Sequence, residues 1–161
     1  MKRNVLYGYI IASVVIAFAM TALLKANTLK VKKIQVDAPL AGSEYLYEIE
    51  SATPDNSVGN EYDSYFTIRG WSGKEEQSVQ LFDTQVLLKS DSDDFYYALS
   101  TDMAAKEELG NYKDTGITYM FGGFVARFDT KKVKPGTYTI YIWNQNDDNN
   151  VLICTDKTIS L

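Results

Sequence analysis

Tyr138-Thr139-Ile140-Tyr141-Ile142-Trp143, preceded by Lys134-Pro135-Gly136-Thr137 and followed by the Asn/Asp-rich stretch 144–150, decides the fold class. Successive side chains of a strand point to opposite faces, so Tyr138, Ile140 and Ile142 share one face and Thr139, Tyr141 and Trp143 the other. Pro135 fixes φ and Gly136 tolerates positive φ, which makes the preceding segment a turn. The amide-rich segment reads as a hairpin tip leading into 151–161. Outward from this unit the same period of two recurs. Tyr45, Tyr47 and Ile49 alternate with Leu46, Glu48 and Glu50, and further runs cover 65–71, 77–89, 95–99 and 120–128. Residues 51–63, with Pro54, Asn56, Gly59 and Asn60, have no period and read as a loop. One segment departs from the pattern: Thr101-Asp102 offers an N-cap, 103–109 is rich in helix formers and Gly110 suits a C-cap, which predicts one short connecting helix. About seven strands at ~8–12-residue spacing predict an all-β, immunoglobulin-like antiparallel sandwich, with a closed barrel as the alternative.

The chain opens differently. Residues 5–24 (VLYGYIIASVVIAFAMTALL) carry no charge, follow Lys2-Arg3 and precede Lys25. At ~1.5 Å per residue a helix of this length reaches ~30 Å, the thickness of a bilayer's hydrocarbon core. This predicts a single-pass signal anchor over 1–27, a basic neck over 28–36 and a β-sandwich domain over 37–161. Ala17-Phe18-Ala19 resembles a signal-peptidase site, but the apolar run continues five residues beyond it. Lys25, Lys30, Lys32 and Lys33 outnumber Lys2 and Arg3 across the span, which the positive-inside rule reads as a cytoplasmic domain. A basic stub before one apolar run is what export machinery recognises, and it favours an extracytoplasmic domain at the cell membrane.

Six of the 16 basic residues and none of the 21 acidic ones precede position 34, leaving ten basic residues against 21 acidic ones beyond it. Such a domain repels phosphate backbones, so nucleic acid is excluded as a partner, while neutral glycans and basic protein patches remain. A single cysteine, Cys154, permits no internal disulfide, and its place in an apolar strand predicts a buried thiol. The absence of histidine removes Ser-His-Asp, Cys-His and His-metal chemistry.

The candidate binding residues are aromatic. Opposite Phe66 and Ile68 the 65–71 run carries Arg69 and Trp71, and the 138–143 run carries Tyr141 and Trp143 on its second face. Sugar C–H faces stack on flat rings and a guanidinium can bond hydroxyls, so Trp71, Arg69, Tyr141 and Trp143 could form a shallow glycan platform. The alternative is that these rings pack against the neck, the long loop or a protein partner. Asp91, Asp93 and Asp94, and the 146–150 tip, lack EF-hand spacing and read as solvated turns, so neither a metal nor a cofactor is expected. Paired carboxylates such as Glu107-Glu108 lie in a short polar segment without a cleft, so no enzymatic activity is expected.

Ser100-Thr101-Asp102-Met103, Gly122-Gly123-Phe124 and Pro135-Gly136-Thr137-Tyr138 together resemble a β-sandwich module associated with bacterial surface-polysaccharide glycosyltransferases, over residues 65–161. That family opens its helix with Arg-x-Asp-Val. Ser100 and Met103 stand in the Arg and Val places here, so no role of the arginine carries over. The resemblance implies a non-catalytic accessory role in cell-surface polysaccharide assembly, with a glycan or a membrane-associated glycosyltransferase as partner. A second expectation is a small structural subunit of a membrane complex, since Gly8-x-x-x-Ala12 permits close helix approach within a bilayer.

Overall fold

A computed structural model describes residues 13–17, 20, 29–55, 64–78, 83–146 and 149–161. The period-two segments form antiparallel strands: β1 (Val31–Ile34), β2 (Tyr45–Pro54), β3 (Tyr65–Lys74), β4 (Asp83–Lys89), β5 (Tyr96–Ala104), β6 (Gly123–Asp129), β7 (Thr137–Asn146) and β8 (Asn149–Ser160). They pair in the order β2-β3-β6-β5-β4-β7-β8, with β1 added to β5. The first half of β5 lies between β1 and β4, with Leu99 opposite Val31 and Tyr97 opposite Leu88. Its second half pairs with β6, from Ser100 opposite Arg127 to Ala104 opposite Gly123. The two layers are thus halves of one sheet that folds over at β5, and its outer strands β2 and β8 come into contact. The protein is all-β and antiparallel as expected. Its pairing path is barrel-like, closer to the closed alternative than to the separately paired sheets of an immunoglobulin-like sandwich.

The inner face follows the alternation. Phe66 and Ile68 of β3, Val86 and Leu88 of β4, Tyr97 and Leu99 of β5, Phe124 and Phe128 of β6, and Tyr138, Ile140 and Ile142 of β7 close one core. Each fully buried large aliphatic side chain among them contributes about 1.5–3 kcal/mol by leaving water, and no disulfide is needed. At one end of this core the Asn144 carboxamide oxygen accepts from Ser72 Oγ and Thr84 Oγ1, each at 3.1 Å, linking β3, β4 and β7. β2 bulges between Ile49 and Ser51, opposite Gly70, where its backbone presses close: a Cβ on Gly70 would lie 2.2 Å from the Glu48 carbonyl oxygen.

Three sequence-based expectations change. The connecting helix over 103–109 is absent, because β5 continues through Asp102 and Met103, opposite Val125 and Phe124. Only Glu107–Leu109 turns, as one 3-10 turn. Isolated helices below ~12–15 residues are marginal, and here the competing state is a ladder already anchored by the core. Further 3-10 turns occupy Tyr112–Asp114, Met120–Gly122 and Thr130–Lys132.

The neck, read as a spacer, supplies β1. Val31 packs on the core and Ile34 on the outer face, after which residues 35–41 cross that face as a strap. The strap docks on the edge of β8, where Leu152 N–H donates to Pro39 O and Ala41 N–H to Leu152 O, both at 2.9 Å. The long loop is shorter than expected, since residues 51–54 extend β2 and 56–63 lie outside the described residues. Most of the 5–24 run also lies outside them. Its described part, 13–17 and 20, is helical with Val14, Val15, Ile16 and Met20 exposed. Among the described residues no helix is long and apolar enough to cross a membrane.

Candidate functional site

The four aromatic-platform residues are not brought together. Trp71 and Arg69 project from the outer face of β3. Arg69 is exposed, but Trp71 is only 5 % exposed because residues 105–122 fold over it. Tyr119 stacks on the Trp71 ring with centroids 5.7 Å apart and planes at 19°, Tyr112 tilts against both, and the Trp71 indole N–H donates to Glu48 Oε2 at 3.2 Å. Tyr141 and Trp143 belong to a separate cluster with Leu87, Ala98, Leu152 and Tyr96, beneath Ile34, Val36 and Ala38 of the neck and strap. Trp143 Nε1–H is spent on Asn150 Oδ1 at 2.8 Å. Trp71 and Trp143 therefore serve two different clusters, and a single platform built from Trp71, Tyr141 and Trp143 does not form. The alternation correctly put the rings on second faces; the covers come from chain segments with no period to read.

Burial raises the Tyr96 hydroxyl above its ordinary value, with the Cys154 thiol adding to it. Tyr141 is raised further, first by its hydrogen bond with Cys154 and then by burial. Cys154 itself is exposed, contrary to its expected burial. It shares the outer face of β8 with Leu152, opposite Tyr141, and the strap that covers Leu152 goes no further along the strand.

The division of the sheet at β5 opens a different site. β4 pairs with β5 at Leu87 and Leu88 only, and below them the two strands part. Val86 N–H donates instead to Thr101 Oγ1 at 3.0 Å. In an antiparallel strand alternate residues send their main-chain groups to the same side, so the Thr84 peptide also faces the gap. The gap continues outward as a groove of about 300 Å³ lined by Lys30, Lys32, Asp83, Gln85, Ser100 and Gln145, with Ala98 and Leu99 beneath.

None of those six polar side chains has a hydrogen-bond or ion-pair partner among the described residues. Elsewhere Lys106 pairs with Glu50, and Lys134 lies 3.6 Å from Asp93. Asp93 is thus engaged, and its main-chain oxygen accepts from Lys89 as well. Among the described residues no group of three or more His, Cys, Asp or Glu side chains is arranged to hold a metal ion. Residues 147 and 148 of the amide-rich tip lie outside them.

The groove joins two ammonium groups, one carboxylate, two carboxamides and a hydroxyl. Such a set can bond a polar, hydroxyl-bearing small molecule from several directions. Sequence reading missed it because its residues come from β1, β4, β5 and β7 and share no motif. The one available signal was the pair Lys30 and Lys32, two residues apart and so on one face if extended. Comparison with family profiles, with curated proteins and with solved structures finds no match to the chain.

Proposed function

We propose that the chain is a membrane-tethered, non-catalytic binding protein of the cell envelope, whose β body holds a cell-surface polysaccharide, or the end of one under assembly, on the extracytoplasmic side. The observation that carries this reading is the groove whose lining polar side chains have no partner among the described residues, and to which the neck itself contributes Lys30 and Lys32. Lys30 follows the end of the 5–24 apolar run by six residues, and extended chain spans at most ~3.6 Å per residue, so the groove would work within ~20 Å of the bilayer. Asp83 is the one carboxylate lining it, whereas glycoside hydrolysis uses two carboxyls facing each other across the bond to be cleaved. That composition favours holding a sugar over cutting one. The resemblance to modules that accompany polysaccharide glycosyltransferases supports the same direction.

The test is purification of the tagged full chain from its own membranes in mild detergent, with sugar analysis of what accompanies it and protease shaving of intact cells beforehand. Retention in the membrane after a carbonate wash, loss of the domain on shaving and co-purifying polysaccharide are expected. A stoichiometric protein partner without glycan would instead favour the structural-subunit reading, and release by carbonate would remove the tether.

A further inference from the structure

Resting on the reading of the groove as a glycan site, we infer that it selects an acidic sugar: a hydroxyl-rich ring bearing one carboxylate or phosphate, with Lys30 and Lys32 as the anion clamp. Lys30, just before β1, and Lys32 within it flank Val31, which packs inward, so extended backbone sets the two lysines on the outer side, ~7 Å apart. Most other cations are engaged, and Arg69, Arg127 and Lys131, the remaining ones without a side-chain partner among the described residues, do not line the groove. Lys106, Lys134 and Lys157 face carboxylates, Lys89 and Lys132 bond main-chain oxygens, and Lys33, Lys74 and Lys113 lie over aromatic rings. In a domain with about twice as many acidic as basic residues, two adjacent lysines without a partner among the described residues form a local positive spot.

The rest of the lining decides what kind of anion fits. Asp83 accepts hydrogen bonds from the ring hydroxyls of a sugar, which a bare inorganic anion lacks. The Gln85 and Gln145 carboxamides each donate and accept, which matches hydroxyls on neighbouring ring carbons, and Ser100 adds another such group. The volume is at the lower end of the ~300–1,000 Å³ of ligand sites, which suits the end of a glycan better than a long stretch of it. The acidic sugar could reach the groove free in solution or as the head of a glycolipid.

The experiment is an amide-shift titration of the isotopically labelled full chain in phosphatidylcholine nanodiscs with glucuronic acid, glucose 6-phosphate, glucose and inorganic phosphate. A second set of discs contains a glucuronosyl glycolipid. The expected result is saturable shifts at Asp83, Gln85, Ser100 and Gln145 for the two acidic sugars, at least tenfold tighter than for glucose or phosphate. Lys30→Ala with Lys32→Ala should abolish that preference, while Lys131→Ala should leave it intact. Shifts already present in glycolipid discs and reversed by free glucuronate identify the lipid-borne source; their absence identifies the free one. Glucose binding the groove as tightly as glucuronate would overturn the acidic-sugar inference while leaving a glycan site in place. No shift with any of the sugars would overturn both.

Discussion

Among the described residues two buried polar atoms have no partner, the Tyr97 hydroxyl and the Asn144 Nδ2. Their consequences differ. The Tyr97 ring sits in the core edge-on to Phe95 and Tyr138, with centroids 5.1 and 5.7 Å away, and its hydroxyl adds desolvation without a bond in return. Removing an unpaired buried hydroxyl while keeping the ring relieves that cost, so Tyr97→Phe is expected to leave stability unchanged or raise it by up to about 1 kcal/mol. Asn144 also accepts two hydroxyl bonds that join three strands, so Asn144→Ala strands Ser72 and Thr84 and is expected to cost about 1–3 kcal/mol. Urea unfolding of the two variants beside the native chain measures both, and a destabilised Tyr97→Phe would mean that its hydroxyl is satisfied. The sequence placed Tyr138, Ile140 and Ile142 inward through alternation alone. It could not place Cys154, because exposure there depends on where the strap stops.

The 105–122 segment is the element that sequence reading describes least well. Its main chain closes on itself through Lys106 N–H to Met120 O at 2.8 Å, Tyr112 N–H to Ile117 O at 2.8 Å and Tyr119 N–H to Leu109 O at 2.9 Å. Lys113 and Asp114 hold positive φ, and Asn111 braces the turn by accepting from Gly116 N–H at 2.9 Å. Helix propensity over 103–109 was a weak prior, and pairing with β6 outweighed it. With no regular ladder of its own, the segment is held down chiefly by the Trp71, Tyr112 and Tyr119 rings. Trp71→Ala is expected to cost about 3 kcal/mol, the low end for a buried Trp because the cluster is small and outside the main core. Hydrogen exchange should quicken at Tyr112 and Tyr119 while β7 amides stay protected. Uniform loss of protection would show that the loop and the core form one cooperative unit.

For the whole molecule, the all-β class was legible because one buried face imposes a period of two, whereas the eighth strand, β1, was not, since four residues with two lysines among them carry no alternation to read. The folding-over of the sheet at β5 was not, since local alternation is the same whether β4 follows β5 to its end or leaves it at Leu87. The groove is a consequence of that global choice, which is why no local pattern announced it.

Titration offers a test at the same scale. Tyr45, Tyr96, Tyr119 and Tyr138 are raised above their ordinary 10.0, each chiefly by burial, and Tyr141 is raised most. The unfolded chain then loses phenolic protons at lower pH than the folded one and binds fewer of them. These groups therefore contribute their full stability below pH 10, and it is lost as pH climbs through their folded values. Melts between pH 8 and 11.5 are expected to show a falling Tm above pH 10, with phenolate absorbance of the folded protein lagging that of the unfolded chain. Coincident absorbance curves would contradict the burial.

The central claim, that this tethered β body holds an acidic sugar in the β1–β4–β5–β7 groove and leaves it chemically unchanged, is tested most directly by one titration. A glucuronate-terminated oligosaccharide is added to the full chain in nanodiscs, and protein amides and sugar signals are followed in the same spectra over a day. Saturable shifts confined to the groove, with every sugar signal intact, are predicted; silent groove amides, or new sugar signals from a cleaved or transferred product, would contradict it.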